Sequence, residues 1–170
     1  MNSYQILWWQ QAKSDHEAFQ LLRRQGIAQC HLLHYLQMVT EKIAKAYFWH
    51  DGSSPPKSHA GFAKFLRALG GIQPLDQERI ANLFAFTRFK DFQYWIEKSA
   101  MPIAYGLERL APALANNGPN PEYPWPHEQP EYAPANYDFP IWALLTSGRG
   151  RTLMTVIGLA VDRFPEYADT

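Results

Sequence analysis

The feature that most constrains this fold is a regular apolar seam in the stretch from Ile27 to His50. Apolar residues recur there at intervals of four, three, four and three: Leu32, Leu36, Val39, Ile43 and Ala46. This spacing keeps the side chains on one face of an α-helix and excludes a strand, whose faces alternate at every residue. The seam therefore predicts a long amphipathic helix that needs another element to cover its apolar face.

The preceding segment, from about Tyr4 to Gln25, can supply that cover. Its apolar residues also follow helical spacing: Trp8, Ala12, Phe19 and Leu22. Gly26 ends the predicted helix, because glycine readily adopts the left-handed conformation of a helix C-terminus. Asp15 falls within the apolar stripe. Since an unpaired buried carboxylate is costly, we expect it to pair with Lys42 or Lys45 across the first two helices.

The rest of the chain is also predicted to be helical. Four further helices are expected: a short one capped by Ser58 and closed by Gly70 and Gly71, one of about 20 residues from Asp76 through Trp95, one from Ile103 to about Leu110, and one from about Arg151 to Arg163. No segment alternates as strands do. The sequence therefore predicts an all-α, up-and-down bundle of four to six helices, in a single domain over residues 1–170.

The segment from Pro112 to Pro140 differs from the rest of the chain in composition. It contains eight prolines, a density that excludes regular helix and favours extended or turn structure. It also contains Tyr123, Trp125, Tyr132 and Tyr137, whereas disordered linkers are poor in aromatic residues. We expect an ordered Pro/aromatic-rich loop packed across the bundle.

The charge balance argues against a constitutive, non-specific nucleic-acid binder, because such proteins carry a basic excess and the formal net charge here is zero. The best local basic patches are Arg23 with Arg24 and Arg149 with Arg151, which we interpret as solvated helix ends. Charged residues make up 19% of the chain and aromatic residues 15%. This balance favours an apolar surface covered by a second copy of the chain, a homodimer.

The cysteine content and the lack of targeting signals indicate the cellular compartment. The single cysteine, Cys30, cannot form an intrachain disulfide and is interpreted as a small core residue. The N-terminal segment does not resemble a signal peptide, and no apolar stretch approaches the roughly 20 residues that cross a bilayer. We expect a cytoplasmic protein that makes no use of a membrane.

A second stripe on the helix from Ile27 to His50 is polar: His31, His34, Met38, Glu41 and Lys45. It could line a pocket, with His31 or His34 as acid or base and Lys45 or Arg24 holding a phosphate. Alternatively, it is an exposed face on which Glu41 and Lys45 form an i,i+4 pair. With no second cysteine and no H-E-x-x-H motif, we expect no metal site and no cofactor.

The stretch from Trp9 to Leu69 resembles the opening of HEPN domains, which are helical bundles of bacterial toxin–antitoxin pairs, phage-defence proteins and companions of nucleotidyltransferases. The matching positions are Ala12 and Asp15, Leu21 and Leu22, Glu41, Lys42, Lys45 and Ala46, and His59 at the start of a third helix. The resemblance covers about 40% of the chain. It implies a homodimeric bundle whose setting is one of these systems, with a protein partner encoded nearby and RNA or a nucleotide as a ligand.

The second half departs from the family pattern. Catalytic HEPN domains carry an arginine, four to six residues, then a histidine late in the bundle, and two such motifs meet across a dimer to cut RNA without metal. Here Arg88 is followed after four residues by Gln93 and Tyr94, and the literal match of Arg24 with His31 bridges the first two helices. Arg88 could form a buried ion pair with Asp91 or, if it faces a dimer seam, mark a degenerate active site.

These patterns lead to three hypotheses. The first is a HEPN-like binding or accessory module without the standard ribonuclease chemistry, because glutamine cannot transfer protons and tyrosine is a poor base at neutral pH. The second is a metal-independent RNA endonuclease that uses Arg24 and His31, or Arg88 and Tyr94, in an unusual arrangement. Candidate binding residues, whichever hypothesis holds, are His34, Glu41, Lys45, His59 and Asp15. The third is a purely structural bundle in a larger assembly.

Overall fold

The fold begins with a long antiparallel hairpin of two helices. The structure is a computed structural model that describes residues 1–49 and 61–170. Helix α1 spans Ser3–Gln25 and starts with a capping box between Asn2 and Gln5. It ends at Gly26, whose φ of 66° is the left-handed conformation that glycine adopts without strain. Helix α2 spans Gln29–Phe48, so the first two predicted helices are confirmed to within two residues.

A hydrogen bond joins the start of α1 to the end of α2: the side chain of Asn2 donates to the backbone carbonyl of Trp49, at 3.0 Å. The apolar seam of α2 faces inward as expected, with Leu36, Val39 and Ile43 fully buried. Cys30 is buried among them, which confirms its interpretation as a core residue.

Helix α3 spans Phe62–Gly70 and is confirmed as a short apolar helix. The N-terminus of α3 is capped by a residue that is distant in the sequence. Glu108 is buried and accepts a hydrogen bond from the backbone N–H of Ala63 at 2.9 Å. Burial raises the pKa of the Glu108 carboxyl, and backbone hydrogen bonds from Ala63 and Phe62 oppose part of that effect. The predicted cap Ser58 and the site candidate His59 lie outside the described residues.

The predicted 20-residue helix from Asp76 through Trp95 is wrong as a continuous element. A 3-10 turn at Pro74–Asp76 leads into α4, Gln77–Leu83, and the chain then turns before α5, Phe89–Trp95. At the turn Ala85 has a φ of 65°, and the backbone N–H of Phe86 returns to the carbonyl of Ala81 at 2.8 Å. No glycine or proline marks this break in the sequence.

The boundary predicted before Ile103 is also wrong. Helix α5 continues without a break through a π-helix, Ile96–Ala100, into α6, Met101–Glu108. Pro102 lacks a backbone N–H and would ordinarily interrupt a helix. Here it follows the π-helix directly, where the regular i→i−4 pattern is already interrupted.

The Pro/aromatic-rich segment is ordered and packed, as expected. Trp125 is 4% exposed, pairs with Tyr132 in an isolated antiparallel bridge and stacks on its ring at 5.8 Å. Tyr137 and Phe139 pack edge-on beside it, with centroids 5.0 Å apart. The segment docks on α2 through Gln29, whose side chain accepts a hydrogen bond from the Phe139 backbone N–H at 3.1 Å.

Two helices complete the bundle. Helix α7, Pro140–Thr146, was not predicted, and α8 spans Gly148–Asp162, three residues longer at its start than expected. The two pack so closely that a Cβ atom on Gly150 would lie 2.1 Å from the carbonyl oxygen of Leu144. Helix α8 returns to α1, where the Trp9 indole donates to the carbonyl of Val161 at 2.6 Å.

The core is continuous across all of these elements and includes Phe19, Phe65, Phe92 and Tyr167, each essentially without exposed surface. Within residues 1–49 and 61–170 the secondary structure is helical and contains no strand, so the predicted all-α helical bundle is confirmed. Among the described helices, none combines the length and the apolar character that a membrane span requires.

Candidate functional site

The first predicted site residues, Asp15 and Lys42, form an ion pair between α1 and α2. The Asp15 carboxylate accepts hydrogen bonds from Lys42 Nζ and, at 3.1 Å, from Gln11 Nε2. The side chains of Asp15 and Lys42 are only 10% and 18% exposed. The predicted pairing of Asp15 is therefore confirmed, with Lys42 as its partner.

The polar stripe of α2 is divided between different environments. Glu41 and Lys45 form the expected i,i+4 ion pair, but Glu41 is buried rather than on an exposed face. Lys45 lies over the ring of Trp8, 4.9 Å from its centroid, and this ring covers the pair. Glu41 and Lys45 thus have structural partners in the hairpin.

The two histidines of the stripe have different surroundings. His34 is half-buried, and its Nδ1 lies 3.6 Å from a carboxylate oxygen of Glu122 in the Pro/aromatic-rich segment. His31 is exposed at the edge of a shallow, mainly apolar depression of about 490 Å³ formed with Leu22 and Tyr35. Arg24, the arginine predicted to act with His31, is exposed and does not line this depression.

The second predicted pair also lies on the surface. Arg88 precedes α5 and binds both carboxylate oxygens of Asp91, at 2.7 and 2.9 Å. Its side chain is 73% exposed, so the expectation of a buried ion pair is wrong. Tyr94 is 67% exposed and does not join it. The turn before α5 places Arg88 at the start of that helix.

A groove between α1 and α8 brings together polar residues that were not predicted as a site. It has a volume of about 460 Å³. Helix α1 contributes His16, Gln20 and Arg23, and α8 contributes Arg151, Thr155 and Asp162. Each set follows helical spacing, so each forms a polar stripe along its helix. That spacing is the sequence signal by which this groove could have been found.

His16 lies in the wall of the groove. Its ring is stacked with that of Phe19 at a centroid distance of 6.4 Å, and its Nε2 is 3.1 Å from the side-chain nitrogen of Gln20. Burial lowers the pKa of His16, and the charges of Asp162 and Glu17 oppose part of that effect. At neutral pH the imidazole is therefore predominantly neutral, and it can accept or donate a hydrogen bond in the groove.

The two arginines of the groove differ in their relation to the helix ends. Arg23 lies in the last turn of α1, where a cation is favoured by the helix dipole. Arg151 lies in the first turn of α8 together with Arg149, where the dipole disfavours cations. Arg149 and Arg151 are nevertheless exposed, and Arg151 also lies beside the C-terminus of α7, which favours a cation, so their interpretation as solvated helix ends is not contradicted. The guanidinium of Arg151 donates to the carbonyl of Thr146 at 3.2 Å, which holds it beside the groove.

A second hollow of about 410 Å³ adjoins the groove and shares Arg151 and Thr155 with it. Its other wall is the turn after α4, where Phe84 and Phe86 flank Ala85. The positive φ of Ala85 belongs to the C-terminal cap of α4, in which the N–H of Phe86 bonds the carbonyl of Ala81 and the N–H of Ala85 bonds that of Asn82. The two cavities are thus neighbours, one lined mainly by polar side chains of α1 and α8 and the other by the aromatic residues of the turn after α4.

Comparison of the chain with protein-family models, curated proteins and solved structures gives no match. Among residues 1–49 and 61–170, no group of three or more His, Cys, Asp or Glu side chains is arranged to hold a metal ion. The kinship with HEPN domains stays a prediction, and the groove between α1 and α8 is the candidate site on geometric grounds.

Proposed function

We propose that this chain is a HEPN-like helical binding or accessory module of a defence, toxin–antitoxin or nucleotidyltransferase-associated system, without the standard HEPN ribonuclease chemistry. The hairpin of α1 and α2 carries the proposal. Asp15 and Lys42, which belong to the two motifs of the resemblance, are paired across it. Shared motifs that meet in one buried contact support a common bundle more strongly than motifs that lie apart.

Binding rather than cleavage is supported by the placement of the candidate catalytic residues. Metal-independent cleavage requires a proton acceptor and a cation that act on the same phosphate. His31 lines a depression that Arg24 does not, and Arg88 is held by Asp91 on the surface. In the part of one protomer that the structure describes, neither combination brings its two residues together around one phosphate.

A homodimer is part of the proposal. One side of α1 carries apolar side chains on the surface, with Tyr4, Leu7 and Leu21 each at least half exposed. Tyr4 and Leu7 are neighbours on this side, and exposed apolar residues of this kind suit a surface that a protein covers. Leu7→Glu is expected to convert a dimer into a monomer, as measured by light scattering after gel filtration. Leu75→Glu is the matched control, because Leu75 is 99% exposed and lies in the 3-10 turn before α4.

The decisive experiment is an RNA degradation assay with a chelator present. We expect no turnover of single-stranded RNA by the purified protein, while the product of a neighbouring gene forms a stoichiometric complex with it. Cleavage by the wild type that falls by orders of magnitude in folded His31→Ala or Arg88→Ala would contradict the binding module and support the RNA endonuclease, the second hypothesis. His16→Ala belongs in the same series, because His16 lines a groove together with Arg23 and Arg151.

A further inference from the structure

We infer that Asn117 is a site of spontaneous modification that the fold controls. The backbone nitrogen of Gly118 attacks the Asn117 side chain when the Pro/aromatic-rich segment opens, and the side-chain amide becomes a carboxylate with solvent water as the co-reactant. The sequence contains one Asn–Gly step, and this is it. The inference goes beyond the proposed module and does not depend on kinship with HEPN domains.

The two residues lie where solvent reaches the reacting atoms. Asn117 is exposed and Gly118 is half-buried on the surface of the segment. The asparagine side chain is short, so its Cγ atom can close a cyclic imide with the backbone nitrogen of the next residue. Glycine hinders this attack least, because it has no Cβ atom and the widest choice of backbone angles.

The reaction balances without an oxidant or a reductant. The Gly118 nitrogen loses its proton to water and attacks the Cγ atom of Asn117, forming a C–N bond. The bond between Cγ and the side-chain nitrogen breaks, and that nitrogen takes a proton from water and leaves as ammonia. Water then adds to one of the two carbonyls of the imide and opens the ring, which gives aspartate or isoaspartate at position 117.

The folded chain opposes the first step at the attacking nitrogen. Asn116 and Asn117 have φ values of 48° and 63°, and the Gly118 N–H donates to the carbonyl of Ala115 at 2.9 Å. Positive φ at both central residues is typical of a type I′ turn. The proton that must leave is engaged in the hydrogen bond of this turn. A Cβ atom on Gly118 would lie 2.9 Å from the same carbonyl oxygen, so the turn itself requires the glycine that makes the step reactive.

The side chain of Asn117 is held as well. Its Oδ1 accepts a hydrogen bond from the backbone N–H of His127 at 2.5 Å, which ties the turn to a residue ten positions later. Closing the imide turns the Cγ atom toward the Gly118 nitrogen and so breaks this bond. The reaction therefore needs the loss of both hydrogen bonds, which is a local opening of the segment. Asn117 should react slowly in the folded chain and fast once the segment is open.

The modification leaves a covalent record of such an opening. In the isoaspartate product the main chain runs through the former side chain of residue 117 and is one methylene longer, so the turn loses its geometry. The stretch between Asn117 and His127, which includes the buried Trp125, is then held less firmly. We expect faster hydrogen exchange at the Tyr132 amide, which donates to the Trp125 carbonyl. Unchanged exchange in the separated isoaspartate form would overturn this consequence.

The site is tested by incubating the full chain in buffer and in urea at the same pH and measuring conversion of Asn117 by peptide mapping with mass spectrometry. The folded chain is expected to react about tenfold more slowly or less, because two hydrogen bonds must open first. Equal rates in buffer and in urea would overturn the control by the fold. No conversion in urea would overturn the site.

His127→Pro tests the bond to the side chain, because proline has no backbone N–H to donate. The rate in buffer is expected to rise about threefold or more, with the rate in urea unchanged. Glu128→Pro is the matched control, since in the described part of the chain the Glu128 N–H makes no hydrogen bond. Circular dichroism checks that both variants fold. A slower reaction in His127→Pro, as expected if the N–H activated the side-chain carbonyl, or equal changes in both variants, would overturn the inference. If His127→Pro does not fold, the comparison of the wild type in buffer and in urea decides.

Discussion

Gly150 offers a sharp test of the packing between α7 and α8. A Cβ atom at this position would lie 2.1 Å from the Leu144 carbonyl oxygen and 2.4 Å from the Leu145 Cα, whereas ordinary contact begins at 3.4 Å. Both atoms belong to the backbone, so no side-chain rotation can relieve the clash. Gly150→Ala must therefore displace the end of α7 from α8.

The expected cost of Gly150→Ala follows from this clash. Overpacking of a well-packed contact costs about 1–3 kcal/mol, and the better helix propensity of alanine returns up to about 1 kcal/mol. Because the obstacle is backbone, we expect a net loss near the upper figure, about 2–3 kcal/mol. For a chain of this size that corresponds to a melting temperature lowered by about 4–12 °C. Urea denaturation followed by tryptophan fluorescence measures the free energy of unfolding directly.

Gly148→Ala is the matched control in the same helix. A Cβ atom there would meet nothing within 4 Å, so the free energy of unfolding should stay the same or rise slightly. Equal unfolding midpoints for the two variants would show that α7 does not lie against α8 as described, and would refute the reasoning. Hydrogen exchange at the α7 amides should accelerate in Gly150→Ala and not in Gly148→Ala.

Three further predictions concern buried polar groups. Asp15→Ala should lower the free energy of unfolding by about 3 kcal/mol, because it leaves Lys42 largely buried without its partner. Asp15→Asn keeps the acceptor oxygen and should cost less. Equal stability of the wild type and both variants in urea would contradict a stabilising role of the ion pair. Glu108→Ala should cost about 1–2 kcal/mol through loss of the cap on α3, whereas Glu108→Gln keeps the acceptor. Since the pKa of Glu108 is raised, the wild-type chain should also lose stability as the pH rises from about 4.5 through that pKa, and a persistent slope in Glu108→Gln would argue against this origin. Since the pKa of His16 is lowered, neutral His16 contributes fully to the free energy of unfolding above about pH 6.5, and this contribution declines as the pH falls toward the pKa of the folded state. Unfolding midpoints measured against pH should show this decline in the wild type but not in His16→Gln.

The hairpin of α1 and α2 could be predicted because its information is local and repeated. Each apolar face recurs over several turns, and Gly26 marks the junction. The turn between α4 and α5 could not, because its left-handed C-cap position is occupied by Ala85, where glycine or asparagine is the usual signal. The start of α7 did have a signal, Pro140 at the first helical position, but it lies at the edge of a segment whose prolines otherwise exclude helix.

The candidate site was harder to predict than the fold. Asp15 could be paired with α2 from burial alone, because a charge in an apolar stripe needs a partner. Arg23 and Arg151 were recognised as basic positions, yet their meeting depends on α8 returning to α1 across more than a hundred residues. His16 could not be singled out from the sequence, because the role of a single histidine on a helix depends on the residues that pack opposite it.

The π-helix between α5 and α6 allows this continuous helix to tolerate the loss of one residue, which the α-helical parts on either side cannot. A turn at Ile96–Ala100 holds more residues than an α-helical turn, so the loss of one residue there can be absorbed by a return to α-helical hydrogen bonding. The same loss inside α6 would rotate every later residue of the helix by about 100° and carry apolar side chains out of the core. Changes in chain length during evolution would thus be accommodated at this stretch while Phe92 and Leu107 keep their neighbours.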